Sequence, residues 1–524
     1  MAEVSVAPVN GSGTAASSTT EVFAVFGAEP EVLAYAMAKY SRSSLSMKES
    51  LKEISQQKAE KFLNTFYFQY GHRSIADLAH IALAIEKLSI LAAIVVADEQ
   101  RWDGQERSTR YQDFRKSGYY TPDFGADSQA RERYGKTIAG LFSAYESISE
   151  TTFRYLVEIT PKPADMKQEA YDRTLRARAF DIARYLLPLA TNTSLGEIVN
   201  ARTLEMQVSH LLSHTHAEVR TLGELLKKAA LSASYNVNQE SLRKLVDEIR
   251  AASPELGARA ETELLKDVRV APTLVKYADP NPYEMETRRD LRQIAAELMG
   301  TAAIDTAPAV DLLDDEPVEV DLATTLLYEH CAYPYRQIRA SVENLAEVRR
   351  QEIIDAGLRR RGRHDEMLRA FRAGQQFRFD ILMDIGGFRD MHRHRRCIQI
   401  EQEFTIQHGY DIPEELRAAG ALDTYTRVMD DTAAAVQTLA KSNAPEAAEN
   451  SQYAIPLGFR KRTLFKMDFA EAVYISELRS GPAGHFSYRN VAYAMYEEVK
   501  KKHPALAQYF RVHDVREPVD LLKR

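Results

Sequence analysis

Five short stretches of the chain hold residue types able to grip an anion. In Gln105-Glu-Arg-Ser-Thr-Arg-Tyr111, Ser108 and Arg110 stand two apart, which in an extended segment points both side chains the same way. A guanidinium that binds two oxygens, beside a hydroxyl that donates to a third, suits a phosphate. Arg393-His394-Arg395-Arg396 is a cationic run at the end of an expected helix. Arg184, in Asp181-Ile-Ala-Arg184-Tyr-Leu-Leu-Pro188, stands among apolar neighbours one turn before a helix-ending proline. A guanidinium buried there needs an anionic partner. Asn200-Ala-Arg202 and Glu477-Leu-Arg479 lie on patterns that read as helices. Taken alone, each stretch has an ordinary structural explanation. Ser108 would cap a helix from a polar loop, the Arg393 run would complement a helix C-terminus, and Arg184 would form a structural salt bridge. The Arg393–Arg396 run also lacks the aromatic interleaving of a single-strand nucleic-acid binder.

The elements that would position these residues follow from patterning. A chain of 524 residues has room for two to four domains. Its 45% hydrophobic and 27% charged residues are ordinary for a globular protein. The net charge of -7 argues against a mainly nucleic-acid-binding role. Two cysteines, Cys331 and Cys397, exclude a disulfide framework and a cysteine-rich zinc site, and fit a reducing compartment. Cys397, beside Ile398 and Ile400, reads as a buried structural thiol. The longest apolar run, Ile90 to Ala97, falls far short of the roughly 20 residues that span a bilayer. Residues 1–20 carry no basic residue and are rich in Gly, Ser, Thr and Ala, which predicts a disordered tail rather than a signal or transit peptide, hence a cytoplasmic protein without a membrane partner. The acidic stretch 306–319, with two prolines, is expected to link two halves, residues 21–305 and 320–524. Helical patterning over 232–305 reads as an insertion.

The two halves repeat one order of motifs. His80-Ile-Ala-Leu-Ala-Ile-Glu-Lys alternates as a half-buried strand, with Ser89 placed to cap a helix from Ile90. Phe377-Arg-Phe-Asp-Ile-Leu-Met-Asp alternates likewise, and Gly386-Gly387 opens a helix ending in Met391-His-Arg-His-Arg-Arg396. Arg184-Tyr-Leu-Leu-Pro-Leu189 mirrors Gln452-Tyr-Ala-Ile-Pro-Leu457, and His216-Ala-Glu-Val-Arg220 mirrors His485-Phe-Ser-Tyr-Arg489.

Together these pieces resemble the flavin-dependent thymidylate synthases. That family carries R-H-R, then seven residues, then S-x-R, with H-x-S upstream and A-R-x-x-L-P, N-A-R and L-R segments downstream. The first half keeps His72-Arg-Ser74, Glu106, Ser108, Arg110, Arg184, Asn200 and Arg202, but its R-H-R position reads Asp98-Glu99-Gln100 and its L-R arginine is missing. The second half keeps Arg393-His394-Arg395 and Arg479, while its S-x-R position reads Glu403-Phe404-Thr405, its A-R arginine is Gln452 and its N-A-R position reads Asp468-Phe469-Ala470. Asp390 stands where the family often has a glutamine near the nucleotide.

The resemblance implies an α+β, helix-rich fold: two fused, diverged copies forming a pseudo-dimer, with the whole chain expected to dimerise again. It implies reductive methylation of dUMP to dTMP, with FAD as cofactor and NADPH and methylenetetrahydrofolate as co-substrates. Other outcomes it leaves open are a flavoprotein modifying another pyrimidine nucleotide, or a non-catalytic FAD- and nucleotide-binding relic. In the family one subunit gives the first arginine of R-H-R and the L-R arginine, and the other gives the E-x-S-x-R stretch and the A-R arginine. The losses here complement that division. One composite site is therefore expected from Arg393 and Arg479 facing Glu106, Ser108, Thr109, Arg110 and Arg184. Arg479 would be the catalytic arginine, set against the uracil, while Ser74, Glu106, Asn200, Arg202, Arg393, His394 and Arg395 would line FAD. The reciprocal site, with Asp98, Glu99, Glu403 and Gln452, is expected to be acidic and to repel a phosphate. No metal is expected.

Overall fold

Strand alternation and helix caps set the elements around the site. The computed structural model describes residues 25, 27–39, 47–53, 63, 73–313, 318–360, 362, 368–372, 377–507 and 510–522; the tail expected over residues 1–20, and His72, lie outside these. After α1 (Pro30–Lys39), β1 (His80–Ser89) runs into α2 (Ile90–Ala97). The Ser89 hydroxyl accepts from the Ala92 amide at 2.9 Å and caps α2, as its place before an apolar run predicts. There follow β2 (Trp102–Glu106), the long α3 (Ser128–Ile159), α4 (Gln168–Ala183), β3 (Asn192–Asn200), α5 (Ala201–Leu212) and α6 (Ala217–Leu231). β3 lies between β1 and β2, antiparallel to both, with Ile81 opposite Val199 and Gln105 opposite Gly196. The expected insertion holds α7 (Gln239–Ala252), α8 (Pro254–Leu264) and α9 (Pro282–Met299).

The second half opens with β4 (Val310–Leu312) and the helices α10 (Val318–Tyr328), α11 (Tyr335–Glu343) and α12 (Glu347–Leu358). β5 (Phe377–Asp384), α13 (Ile385–Met391), β6 (Ile398–Glu401), α14 (Leu422–Ala440), β7 (Arg460–Met467), α16 (Phe469–Ser480) and α17 (Phe486–Lys502) then repeat the pattern of the first half, with the short α15 (Ala447–Gln452) before β7. The strand orders match: β1-β3-β2 in one antiparallel sheet and β5-β7-β6 in the other, which β4 extends at its β5 edge. β4 narrows the linker expected over 306–319. Val310 pairs with Ile381, and Asp311 holds the Arg336 guanidinium at 2.5 Å, so the first part of that stretch holds an edge strand.

The halves are joined by backbone. Leu189 N–H donates to the Ile455 carbonyl at 2.9 Å and Leu457 N–H to the Leu187 carbonyl at 3.0 Å. Ala190 N–H donates to Tyr453 at 2.8 Å and Gly458 N–H to Tyr185 at 2.9 Å, on either side of an antiparallel bridge between Pro188 and Pro456. Each bond has its counterpart when the matching residues of the two mirrored segments are exchanged. One contiguous apolar cluster crosses this seam and includes Ile81, Leu187, Ile381 and Leu457, each worth about 1.5–3 kcal/mol when taken from water. A second cluster, with Leu291, Leu327, Ile338 and Leu464, ties α9, α10 and α11 to β7. Among the described residues no helix is long and apolar enough to cross a membrane.

Candidate functional site

Five elements deliver charged side chains to one place. The end of β2 carries Glu106 and the turn after it Ser108 and Arg110; the end of α4 carries Asp181 and, just beyond it, Arg184. α13 and the turn after it carry Arg389, Asp390, Arg393 and His394; α16 ends near Arg479 and α17 begins near Tyr488. Two local expectations need correction. Residues 108–110 are not extended: the chain turns after β2, the Ser108 hydroxyl accepts the Arg110 amide at 3.3 Å, and Thr109 is buried. The helix before the Arg393 run stops at Met391. Beyond it the Gln399 amide donates to the His394 carbonyl at 3.1 Å and the Cys397 thiol donates to the same oxygen at 2.8 Å, which holds Arg393–Arg396 in a turn. Cys397 is buried as expected, and burial pushes its thiol up to about 12.

The buried Arg110 guanidinium reaches both halves. Its Nε and Nη2 meet the Asp181 carboxylate at 2.7 and 3.3 Å, Nη1 donates to the Tyr488 hydroxyl at 2.7 Å, and Nη2 donates to the Ala483 carbonyl at 3.2 Å. Arg184 is 1% exposed and pairs through Nη1 with Asp390 at 3.3 Å. Its Nε and Nη2 have no hydrogen-bond partner among the described residues. Such orphaned charged donors are costly to bury. Glu106 takes Arg389, which sequence reasoning missed, and lies 3.7 Å from Arg393. The guanidiniums of Arg110 and Arg479 each lie 5.5 Å from the centre of the Tyr488 ring, so one tyrosine joins an arginine of each half. Tyr488 and Asp181 were also missed as site residues, although both lie in segments whose repetition or proline was legible.

Asp390 is the centre of the cluster. Burial works to raise its pKa, but Arg184, Arg110, Arg393 and Arg479 outweigh burial and hold it below the usual carboxylate range. Those are the four arginines expected to share one site, two from each half. Arg479 Nε donates to His394 Nε2 at 2.8 Å, which makes Nε2 the acceptor and leaves the ring proton on Nδ1, 3.5 Å from Glu471. Burial, joined by the Arg479 charge, keeps the His394 pKa down and the ring neutral in that role.

The remaining expected residues form a flank. Arg395 lies 3.3 Å from Asp103, and its guanidinium sits 5.0 Å from the centre of the Trp102 ring. Arg202 pairs with Asp77 at 3.2 Å. The Asn200 side-chain oxygen accepts from the Thr203 amide at 2.9 Å and caps α5, and Ser74 is exposed in the turn before β1. Asn200, Arg202, Asp77 and Ser74 therefore gather where His80 pairs with Asn200 at the end of the first sheet.

Asp98, Glu99, Glu403 and Gln452 also come together, lining a cavity of about 320 Å³ between the halves. The acidic character expected there is present in the lining, where Asp98, Glu99, Glu284, Glu329, Glu401 and Glu403 stand against Arg288, Arg292, Arg369 and Lys461. Arg369 holds Asp98 at 2.5 Å, Arg292 holds Glu403, and Lys461 lies 3.1 Å from Glu401, so three of these carboxylates are paired. Asp98, His392 and Glu401 offer ligand atoms within 4.8 Å of one another, yet Arg369 and Lys461 hold the same two carboxylates and would compete with a cation. Neither Arg292 nor Arg369 belongs to a motif, so no spacing pointed to them.

Comparison with known proteins places these features in a family. A family model described as thymidylate synthase complementing protein matches residues 24–232 and again 319–505. The chain is 28% identical to a UPF0159 protein of Chlamydia pneumoniae, over 95% of this chain and 92% of that protein. It is 27% identical to a flavin-dependent thymidylate synthase of Clostridium tetani, over 33% of this chain and 67% of that protein. Among solved structures, a flavin-dependent thymidylate synthase from Helicobacter pylori, complexed with FAD and dUMP, aligns at a TM-score of 0.23 and 15% identity over 38% of this chain and 89% of that one. With both of its halves matched in turn, the chain belongs to the thymidylate synthase complementing protein family.

Proposed function

We propose that the chain is a flavin-dependent thymidylate synthase-like enzyme that methylates dUMP reductively to dTMP, built as a fused pseudo-dimer with one composite active site. The observation that carries this is the meeting of arginines from both halves at Asp390, with Arg184 3.3 Å from its carboxylate and the charges of Arg110, Arg393 and Arg479 near enough to lower its pKa. The mirrored backbone bonds about Pro188 and Pro456 support the pseudo-dimer. Arg184, with two unpaired nitrogens in a buried position, would take phosphate oxygens of dUMP, with Arg110 and Ser108 beside it. Arg479, held by neutral His394, would lie against the uracil. A fixed guanidinium there lowers the N3 pKa and stabilises the anion left when that proton departs, making C5 a better nucleophile. Arg393, paired with Glu106, would exchange that partner for the substrate.

FAD fits the residues present. Arg395 Nη1 and Arg389 Nε are buried without hydrogen-bond partners among the described residues, and Asn200 and Arg202 line the adjoining flank. These donors, with Ser74, Glu106, Arg393 and His394, would hold the flavin nucleotide, which when bound supplies the hydride that NADPH replenishes, methylenetetrahydrofolate giving the carbon. The chain's own task is orientation and charge, so no protein nucleophile is needed, in keeping with the buried Cys397.

The test is release of tritium from C5-labelled dUMP by the purified yellow protein. Release that depends on methylenetetrahydrofolate and NADPH supports the proposal. A flavin-bearing protein that releases none under those conditions contradicts it.

A further inference from the structure

The seam between the halves holds one arrangement twice, with its acid moved. In the first half Ser89 ends β1 and caps α2, and its amide and hydroxyl donate to Glu218 of α6 at 2.8 and 2.6 Å. In the second half Asp384 ends β5 and caps α13, accepting the Gly387 amide at 2.6 Å, while its other oxygen accepts the Ser487 hydroxyl of α17. Acid and hydroxyl have exchanged places. Leu91 N–H donates to the Leu189 carbonyl at 3.1 Å and Gly386 N–H to the Leu457 carbonyl at 3.0 Å, so Leu91 and Gly386 are mirrored positions. Gly386 leaves open what a leucine would fill. A Cβ added there would stand 3.2 Å from Asp384 Oδ1 and 3.3 Å from Arg184 Nε. No side chain at 386 therefore separates the Asp384 carboxylate from a nitrogen of Arg184 that lacks a hydrogen-bond partner among the described residues. Asp384 is fully buried, and burial, then the Asp411 charge, raises its pKa to about 6 against the pull of Arg184. Asp411 itself pairs at 2.5 Å with Arg460, the residue opposite Asp384 on β7. Tyr185 and Tyr425 also face Asp384, and burial raises both well above the usual tyrosine range. Beside Ser487, the His485 ring accepts the Ser487 amide at 3.2 Å and donates to the Asp181 carbonyl at 2.9 Å, which makes it neutral.

We propose that Asp384 is a positioning residue for Arg184 and takes up a proton from solvent when a phosphomonoester binds that arginine. This rests on the reading of Arg184 as a phosphate-binding residue. A phosphate dianion at Arg184 Nε and Nη2 meets two carboxylates, Asp390 and Asp384. Asp390 stays ionised, because four arginines hold its pKa down. Asp384 has Asp411 behind it and is the one that accepts the proton, at Oδ2. The Ser487 hydroxyl then turns from donor to acceptor, and Oδ1 keeps the Gly387 amide. The tie between α13 and α17 thus survives in both states. Ionised, Asp384 orients Arg184 before binding; neutral, it leaves the guanidinium charge to the phosphate.

Calorimetric titration of the flavin-loaded full chain with dUMP at pH 7, in two buffers of different ionisation enthalpy, counts the protons exchanged. About half a proton or more is expected to be taken up per dUMP bound, and the Kd to rise about fivefold from pH 7 to pH 8. The dUMP phosphate, with a second pKa of about 6, exchanges in the opposite direction, so net uptake comes from the protein. Asp384→Asn still caps α13, and Asp384→Ser/Ser487→Glu rebuilds the pair of the first half. Both are expected to bind dUMP without net uptake, with a Kd that stays within about twofold over the same pH range. A purely structural tie would instead make the rebuilt pair behave as the parent does. Net uptake that is absent in the parent, or unchanged in Asp384→Asn, overturns the inference while dUMP binding stands. A parent chain that binds no dUMP overturns the reading of Arg184, and the inference with it.

Discussion

At the residue scale, Asp390 is the group on which the account turns. Together with Asp181 and Glu106, the Asp390 carboxylate neutralises part of a strongly cationic cluster, and removing its charge leaves the guanidiniums to repel one another more strongly. Asp390→Asn is therefore expected to lower stability by roughly 3 kcal/mol in denaturant unfolding at low ionic strength. Millimolar inorganic phosphate should restore much of the loss, because an anion that binds the folded cluster stabilises by mass action. A variant as stable as the parent, or one that phosphate leaves unchanged, would remove Asp390 from the centre of the site. Arg479→Ala is expected to cut turnover by at least 100-fold while the flavin absorbance stays intact, since the guanidinium acts on charge that develops in the substrate. Unchanged turnover would remove Arg479 from the mechanism. The arginines themselves were legible from motif types, but Asp181, Arg389 and Tyr488 were not. Each works by contact with a residue distant in sequence, and no local spacing announces such a contact.

At the element scale, placement depends on close packing and on one buried acid. Gly387 in α13 has no room for a side chain: an added Cβ would lie 2.6 Å from the Ser487 hydroxyl and 2.9 Å from the Met383 methyl. Gly387→Ala is expected to destabilise by about 1–3 kcal/mol and to weaken dUMP binding, because α13 carries Arg389 and Asp390. A chain made more stable by the alanine would show that the helix gains more from propensity than it loses in contact. Glu197 on β3 is 2% exposed, and burial, only partly offset by the Gln207 amide at 2.9 Å, raises its pKa from 4.5 to about 7. The folded state then binds this proton more tightly than the unfolded chain. Its contribution is most favourable below about 4.5 and is lost as pH rises through about 7. Glu197→Gln should raise stability at pH 8 by roughly 2 kcal/mol and leave it nearly unchanged at pH 4. A gain of equal size at both pH values would contradict the assignment. Strands such as β1 and β5 could be read from alternation, and α2 from Ser89. The turn at Ser108–Arg110 could not, because it is fixed by a side-chain bond and by Arg110 reaching Asp181 and Tyr488 across the fold.

At the scale of the whole molecule, the repeat was readable because both halves keep one order of elements, and the matching strand orders follow from it. The acidic character of the reciprocal cavity was readable, but the pairing of its carboxylates was not. Three acidic positions pointed to repulsion, but Arg292 comes from α9 and Arg369 from the segment before β5, so the charges meet only through tertiary packing. The central claim is that arginines from both halves build one nucleotide site next to the flavin. The most direct measurement is titration of the yellow protein with dUMP while the flavin absorbance is followed. The account predicts a saturable spectral change that is lost in Arg184→Ala, from the first half, and equally in Arg393→Ala, from the second, and kept in Gln452→Ala. A spectral change that survives either arginine substitution, or disappears with Gln452→Ala, would contradict it.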